Sequence, residues 1–224
     1  MAKISNTQVF GLDRVFKTAK YPKSVALDKL NNDLTTGIQD CLQAPTGSGH
    51  DNALKGIVVM ADWTLSNKAW VEAERYHFLD IVSSQSTMHK IAQMNIWDCC
   101  NKYVSSDIKA TVEILRFAYN DNPTSENYLR LLYNIPSGIE MTAGIVTNYQ
   151  QLKTIYNQRR SHRLPDWKVV CDWIEGLPHA ELIVGKGCRV FKMENAVEFR
   201  IDAPTRESTK RVLDDAKMLK EKRG

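Results

Sequence analysis

Several things are scarce in this chain, and each scarcity closes off a class of protein. Cysteine is limited to Cys41, Cys99, Cys100, Cys171 and Cys188, an odd number with no paired C-x-x-C spacing. Neither a disulfide framework nor a zinc site follows from such a set, and reduced thiols in a cytoplasm fit it best. No stretch approaches the roughly 18 apolar residues of a membrane-spanning helix. The opening Met-Ala-Lys-Ile-Ser-Asn has no apolar run behind its lysine, so neither export nor membrane insertion is expected. Charge of one sign is not in excess either: 30 Lys and Arg against 26 Asp and Glu leave a net charge of +4. That balance suits a phosphate-bearing ligand and is too weak to imply duplex binding. Internal repeats and low-complexity tracts are missing.

What remains is the make-up of a folded globular protein. The chain has 224 residues, 43% hydrophobic and 25% charged, enough for one domain, 1–224, with a substantial core. Residues 1–23 mix apolar and basic side chains and read as a short strand or arm followed by a turn. From Ser24, a plausible N-cap, Val25, Leu27, Leu30, Leu34, Ile38 and Leu42 recur at mostly helical spacing, and a helix is expected up to the turn Pro45-Thr46-Gly47-Ser48-Gly49-His50. Residues 54–63 read as a buried strand. A helix capped by Ser66 should follow and run on through Arg75-Tyr76-His77 toward Val82, and Ser83 to Thr87 read as a polar loop. Two further helices, near 107–119 and 125–134, form an α-hairpin broken at Asp121-Asn122-Pro123. Another helix is expected over 166–174, a β-hairpin over 188–202, and a charged helical tail from Pro204.

The stretch Asn148 to Arg159 stands out. On a helix Asn148, Leu152, Ile155 and Arg159 form one row. Leu152 and Ile155 turn that row inward, and it ends in a guanidinium, which is seldom buried without an anionic partner. Arg159 therefore either pairs with a carboxylate to hold elements together or waits for an anionic ligand or an electron-rich ring. The row alone leaves both open.

Two blocks join these pieces. Gly49-His50, a strand, a helix and then Arg75-Tyr76-His77 resembles the Gly-His turn, strand, helix and Arg-His-Arg motif of the flavin-dependent thymidylate synthases, without a gap. Ser83 to Thr87 fall where that family has its phosphate-binding loop. Asn148 to Arg159 resembles the family's Asn-Ala-Arg-Ser-Leu helix, with Asn148, Leu152 and Arg159 at matching positions and Pro136 at the equivalent distance upstream. Trp167 resembles the tryptophan of the following Ala-Gln-Trp-Glu helix if one residue is inserted. The resemblance spans about 45–180. Within it Tyr76 and His77 replace the second and third residues of Arg-His-Arg, Gly56 stands where the family has a flavin-contacting histidine, and the serine segment lacks the family's Glu and Arg.

The resemblance implies an α/β (α+β) fold with a central, mostly antiparallel sheet packed with helices, assembled as a homotetramer with shared sites. It further implies FAD, a pyrimidine nucleotide such as dUMP, methylenetetrahydrofolate as carbon donor and NADPH as reductant, and no metal. Arg159 would be the catalytic residue, lying against the pyrimidine. Arg75, Tyr76, His77, Asn148 and Thr154 would face the flavin. Glu72 would contact the nucleotide in place of a glutamine, and Ser83, Ser84, Gln85, Ser86 and Thr87 would hold its phosphate. The alternative is a regulatory protein that binds nucleotide or flavin on the same scaffold without turnover. Nucleic acid, through Arg159, Arg160, His162, Arg163 and the basic tail, is not expected for want of a recognisable module.

Overall fold

Strands rich in β-branched and aromatic residues form a four-stranded antiparallel sheet, ordered β1-β2-β4-β3, in a computed structural model that describes residues 1–185. The strands are β1 (Lys3–Phe10), β2 (Val58–Ser66), β3 (Asp80–Ser84) and β4 (Glu140–Asn148). Central β2 and β4 pair without interruption from Val58↔Asn148 to Ser66↔Glu140. Their alternation is clean: Val59, Ala61, Trp63 and Leu65 of β2 and Ala143, Ile145 and Thr147 of β4 are buried. The opposite face carries Met60 and a Thr64–Thr142 hydroxyl pair 2.8 Å apart.

Around the sheet run α1 (Val15–Ala19), α2 (Thr36–Leu42), α3 (Asn67–Ala73), α4 (Thr87–Lys90), α5 (Ile96–Cys99), α6 (Ser106–Asp121), α7 (Ser125–Tyr133), α8 (Tyr149–Arg159), α9 (Pro165–Glu175) and α10 (Glu181–Val184). The main core lies between the sheet's buried face and α3, α8 and α9. Trp63 lies within it, its ring 5.5 Å from Trp173 and 6.5 Å from Trp70. A smaller apolar cluster of Ile91, Ile96, Cys100, Val112, Leu131 and Ile139 sits under α6 and α7, whose rings Tyr119 and Tyr128 meet at 5.5 Å. These residues belong to one unit, Met1–Phe191. The expected β-hairpin at 188–202 and the charged tail lie outside the described residues.

Several local expectations change. The long helix from Ser24 does not form: only α2 is α-helical, capped by Thr35, whose hydroxyl accepts from Ile38 N. Upstream, Asn32 accepts from Lys17 N through Oδ1 and donates to Leu12 O, and Lys20 reaches both oxygens of Asn31. These polar side chains satisfy backbone groups outside the helical pattern and outcompete it, leaving Val25 fully exposed. The strand expected at 54–63 starts at Val58, after a 3-10 turn over Asn52–Gly56. Ser66 does cap α3, accepting from Ala69 N at 3.3 Å, but that helix stops at Ala73, so Arg75, Tyr76 and His77 lie on the following turns. Ser83 and Ser84 are strand rather than loop, Gln85 pairs with the backbone of Thr142 in both directions, and Thr87 opens α4.

Candidate functional site

β4 runs directly into α8, and Asn148 marks the join: its Oδ1 accepts from Gln151 N at 2.9 Å. The helix is buried on more than one side, at Tyr149, Gln151, Leu152, Lys153, Ile155 and Tyr156, so its last turn is carried to the inner end of α3. There Arg159 is 14% exposed. Its Nε donates to Tyr76 Oη at 2.7 Å and its Nη1 to Glu72 Oε2 at 2.8 Å. Cζ lies 4.6 Å from the Trp167 ring and 5.5 Å from the Tyr76 ring, and those two rings meet edge to face at 5.9 Å. A guanidinium between two aromatic rings is held by cation–π attraction as well as by its hydrogen bonds.

Glu72 is the hub of this cluster. Its Oε2 also accepts from Trp167 Nε1 at 3.0 Å and lies 3.4 Å from His162 Nε2, and Oε1 lies 3.6 Å from Lys68 Nζ. Burial works to raise the Glu72 carboxyl, but the Trp167 hydrogen bond together with His162, Arg159 and Lys68 outweighs it and holds the group below its ordinary value. Burial raises the Tyr76 phenol, against the opposing pull of Arg159, and that phenol donates to Gln158 Oε1 at 3.0 Å.

Beside the cluster opens a cleft of about 530 Å³ lined by Arg75, Tyr76, His77, Gln151, Thr154, Gln158 and Arg159. Five of the residues expected from sequence therefore meet here: Arg75, Tyr76, His77, Thr154 and Arg159. Glu72 stands behind Arg159 as its anionic partner. Asn148 is outside the lining and spends its carbonyl on the helix cap. Ser83 to Thr87 lie on the exposed β3 edge and the start of α4, outside this lining. Gln151, whose Oε1 accepts from Phe78 N at 3.2 Å, and Gln158 also line the cleft and are not among the residues expected from sequence. With Thr154 they form a polar row at i, i+3 and i+7 beside the apolar one, and that periodicity was available to find them. The lining holds two arginines and a histidine and no carboxylate, so it suits an anionic or carbonyl-rich ligand. Among the described residues no three His, Cys, Asp or Glu gather to hold a metal ion, and no helix is long and apolar enough to cross a membrane.

No protein-family model and no curated protein matches this chain. Solved structures do. A thymidylate synthase X from Helicobacter pylori crystallised with FAD and dUMP is 13% identical with a TM-score of 0.66, over 82% of this chain and 97% of that one. A second structure of the flavin-dependent enzyme from that organism, also with FAD and dUMP, is 12% identical with a TM-score of 0.66, over 83% and 99%. A UMP/dUMP methylase from Streptomyces cacaoi bound with 5-bromo-dUMP is 12% identical with a TM-score of 0.51, over 78% and 88%. At such identity the likeness establishes the architecture: this chain has the mixed α/β fold of a flavin-dependent thymidylate synthase.

Proposed function

We propose that the protein is an FAD-dependent enzyme that reductively methylates dUMP or a related pyrimidine nucleotide, with methylenetetrahydrofolate as carbon donor and NADPH as reductant. The observation that carries this reading is the gathering of Arg75, Tyr76, His77, Thr154 and Arg159 around one acid-free cleft on this fold. Those residues fit a flavin: Arg75 is an exposed cation and His77 an exposed imidazole beside its anionic parts, the Gln158 amide NH2 can donate to a ring carbonyl, and Thr154 Oγ1, whose proton goes to Gln150 O at 3.2 Å, can accept from a ring N–H. When bound, the flavin would supply the hydride. Arg159, fixed by Glu72, Tyr76 and Trp167, would lie against the pyrimidine and stabilise the negative charge that develops there, a task suited to a cation that never deprotonates. Ser83 to Thr87 would serve the phosphate from a second copy, since they lie outside their own chain's cleft, and the enzyme would then work as a homotetramer.

One observation favours a second reading, a nucleotide- or flavin-binding regulator without turnover. Arg159 is already neutralised by Glu72 at 2.8 Å, and the phosphate segment carries no cation of its own. The purified protein mixed with FAD separates the two. An enzyme should take up flavin and turn yellow, form dTMP from dUMP with the two cosubstrates, and rescue a thymidine auxotroph. Flavin uptake without product from any pyrimidine nucleotide would favour the regulator, and a colourless protein that ignores FAD and dUMP would refute both.

A further inference from the structure

A second cavity, of about 430 Å³, lies at the other end of α3 from the cleft. Its walls come from four places: Ser66 and Lys68, the turn around Asn101 to Val104, the Ser137-Gly138 turn, and residues 163–166. Backbone hydrogen bonds tie these walls together. Lys68 N donates to Ser137 O at 3.0 Å, Asn67 N to Ile139 O at 2.8 Å and Asn101 N to Gly138 O at 2.9 Å, while Ser66 N donates to the buried Asp166 Oδ1 at 2.7 Å. Gly138 lets the Val104 side come this close, because a Cβ there would collide with Val104 Cγ2. The cavity is thus built in advance, as ligand sites are.

Its chemistry is mixed. Val104, Leu164 and Pro165 give it an apolar floor, Tyr103 an exposed ring, and Lys68 and Arg163 two cations. The one carboxylate, Asp166, already accepts from Ser66 N. Arg163 is exposed and has no acidic partner among the described residues. Lys68 does have one: its Nζ lies 3.6 Å from Glu72 Oε1, on the carboxylate whose other oxygen holds Arg159. A single acid therefore sits between one cation from each cavity.

We propose that this cavity is a second ligand site, for a small organic anion bearing one phosphate or carboxylate on a flat apolar body, and that it communicates with the Arg159 cleft through Lys68 and Glu72. An anion on Lys68 competes with Glu72 for the ammonium. The carboxylate, less neutralised, then holds Arg159 more tightly, and the cleft attracts its own anionic ligand less. The coupling is negative and, being an equilibrium property, runs equally in both directions. None of this requires the cleft to take a flavin.

The test uses the full-length ¹⁵N-labelled protein titrated with phenyl phosphate, benzoate and inorganic phosphate, following the indole N–H signals of the five tryptophans. Trp167 Nε1–H donates to Glu72, so it reports on the shared carboxylate, and Trp167→Phe assigns its signal. Phenyl phosphate or benzoate should bind saturably and move that signal, and the tighter of the two identifies the head group. Inorganic phosphate, lacking the apolar body, should bind at least tenfold more weakly. The double variant Lys68→Gln/Arg163→Gln changes only exposed cations and should fold, shown by an unchanged thermal transition, yet lose at least tenfold in affinity. Arg75→Gln should leave aryl binding intact. Absence of saturable binding by either aryl anion would overturn the site. So would loss of binding in Arg75→Gln with full binding in the double variant, because the anion would then sit in the cleft. Saturable binding with a silent Trp167 signal would overturn the coupling.

Discussion

Lys153 and Arg159 are six residues apart on one helix, both turned inward and both paired with an acid, yet they do different work. Lys153 is 4% exposed and Asp51 fully buried. The ammonium is surrounded, with Leu42 O at 2.9 Å, Ala44 O at 2.5 Å and Asp51 Oδ2 at 3.3 Å. All three of its donors are spent on the base of the 42–51 loop, so this cation is a clamp. Arg159 has five donors, of which Nε and Nη1 go to Tyr76 and Glu72, and it still lines an open cleft. The lesson is that an acidic partner alone does not mark a cation as structural. What matters is whether donors and a path to solvent remain.

The strongest way to break this comparison is to remove the clamp. Lys153→Met strands a buried carboxylate and should cost about 3–5 kcal/mol of stability, read from the denaturant midpoint; a loss below about 1 kcal/mol would mean the loop does not depend on the clamp. Arg159→Ala should cost less, about 1.5–3 kcal/mol for its charged hydrogen bonds, while ligand uptake by the cleft disappears. Arg159→Lys should recover some stability and little binding, since an ammonium cannot reproduce the planar fork. Equal stability losses at 153 and 159 would erase the distinction. Trp167→Phe keeps a ring beneath the guanidinium but deletes the N–H to Glu72, and a loss of about 1 kcal/mol is expected in thermal unfolding.

The finest test is in pH. Because the folded chain holds the Glu72 carboxyl below its ordinary value, the unfolded chain takes up that proton first as acid is added. The cluster's contribution is therefore complete above the ordinary carboxylate range and is lost as pH falls through the lower folded value. Glu72→Gln should flatten that part of the acid limb. An unchanged limb would show that Glu72 is not the group titrating there.

Much of the site was legible because it is written in helical periodicity. The Leu152 and Ile155 stripe correctly aimed Arg159 inward, and the Ser66 cap fixed where α3 starts. The family resemblance gives Glu72 as a ligand contact rather than as Arg159's partner, since the two meet only through the tertiary fold. Periodicity failed where other forces ruled. Asn31 and Asn32 divert the backbone that Leu27 to Leu34 would otherwise coil. β3 is exposed at every position, so no alternation betrayed it. Nothing in the local pattern marks Lys153 as buried, because its partners lie about a hundred residues away in sequence.

That exposed strand carries one last implication. Ile81 faces Ile145, but Ser83 faces Gly144, so Val82 is an extra residue squeezed into the ladder. The irregularity resets the phase of everything after it, sending Ser83 and Ser84 out on opposite sides of the ribbon. Were Val82 instead paired with Gly144 in a regular ladder, Ser83 would face Ala143, and both hydroxyls would point the other way. The two serines of β3 are thus addressed by counting, and a miscount of one would misdeliver both.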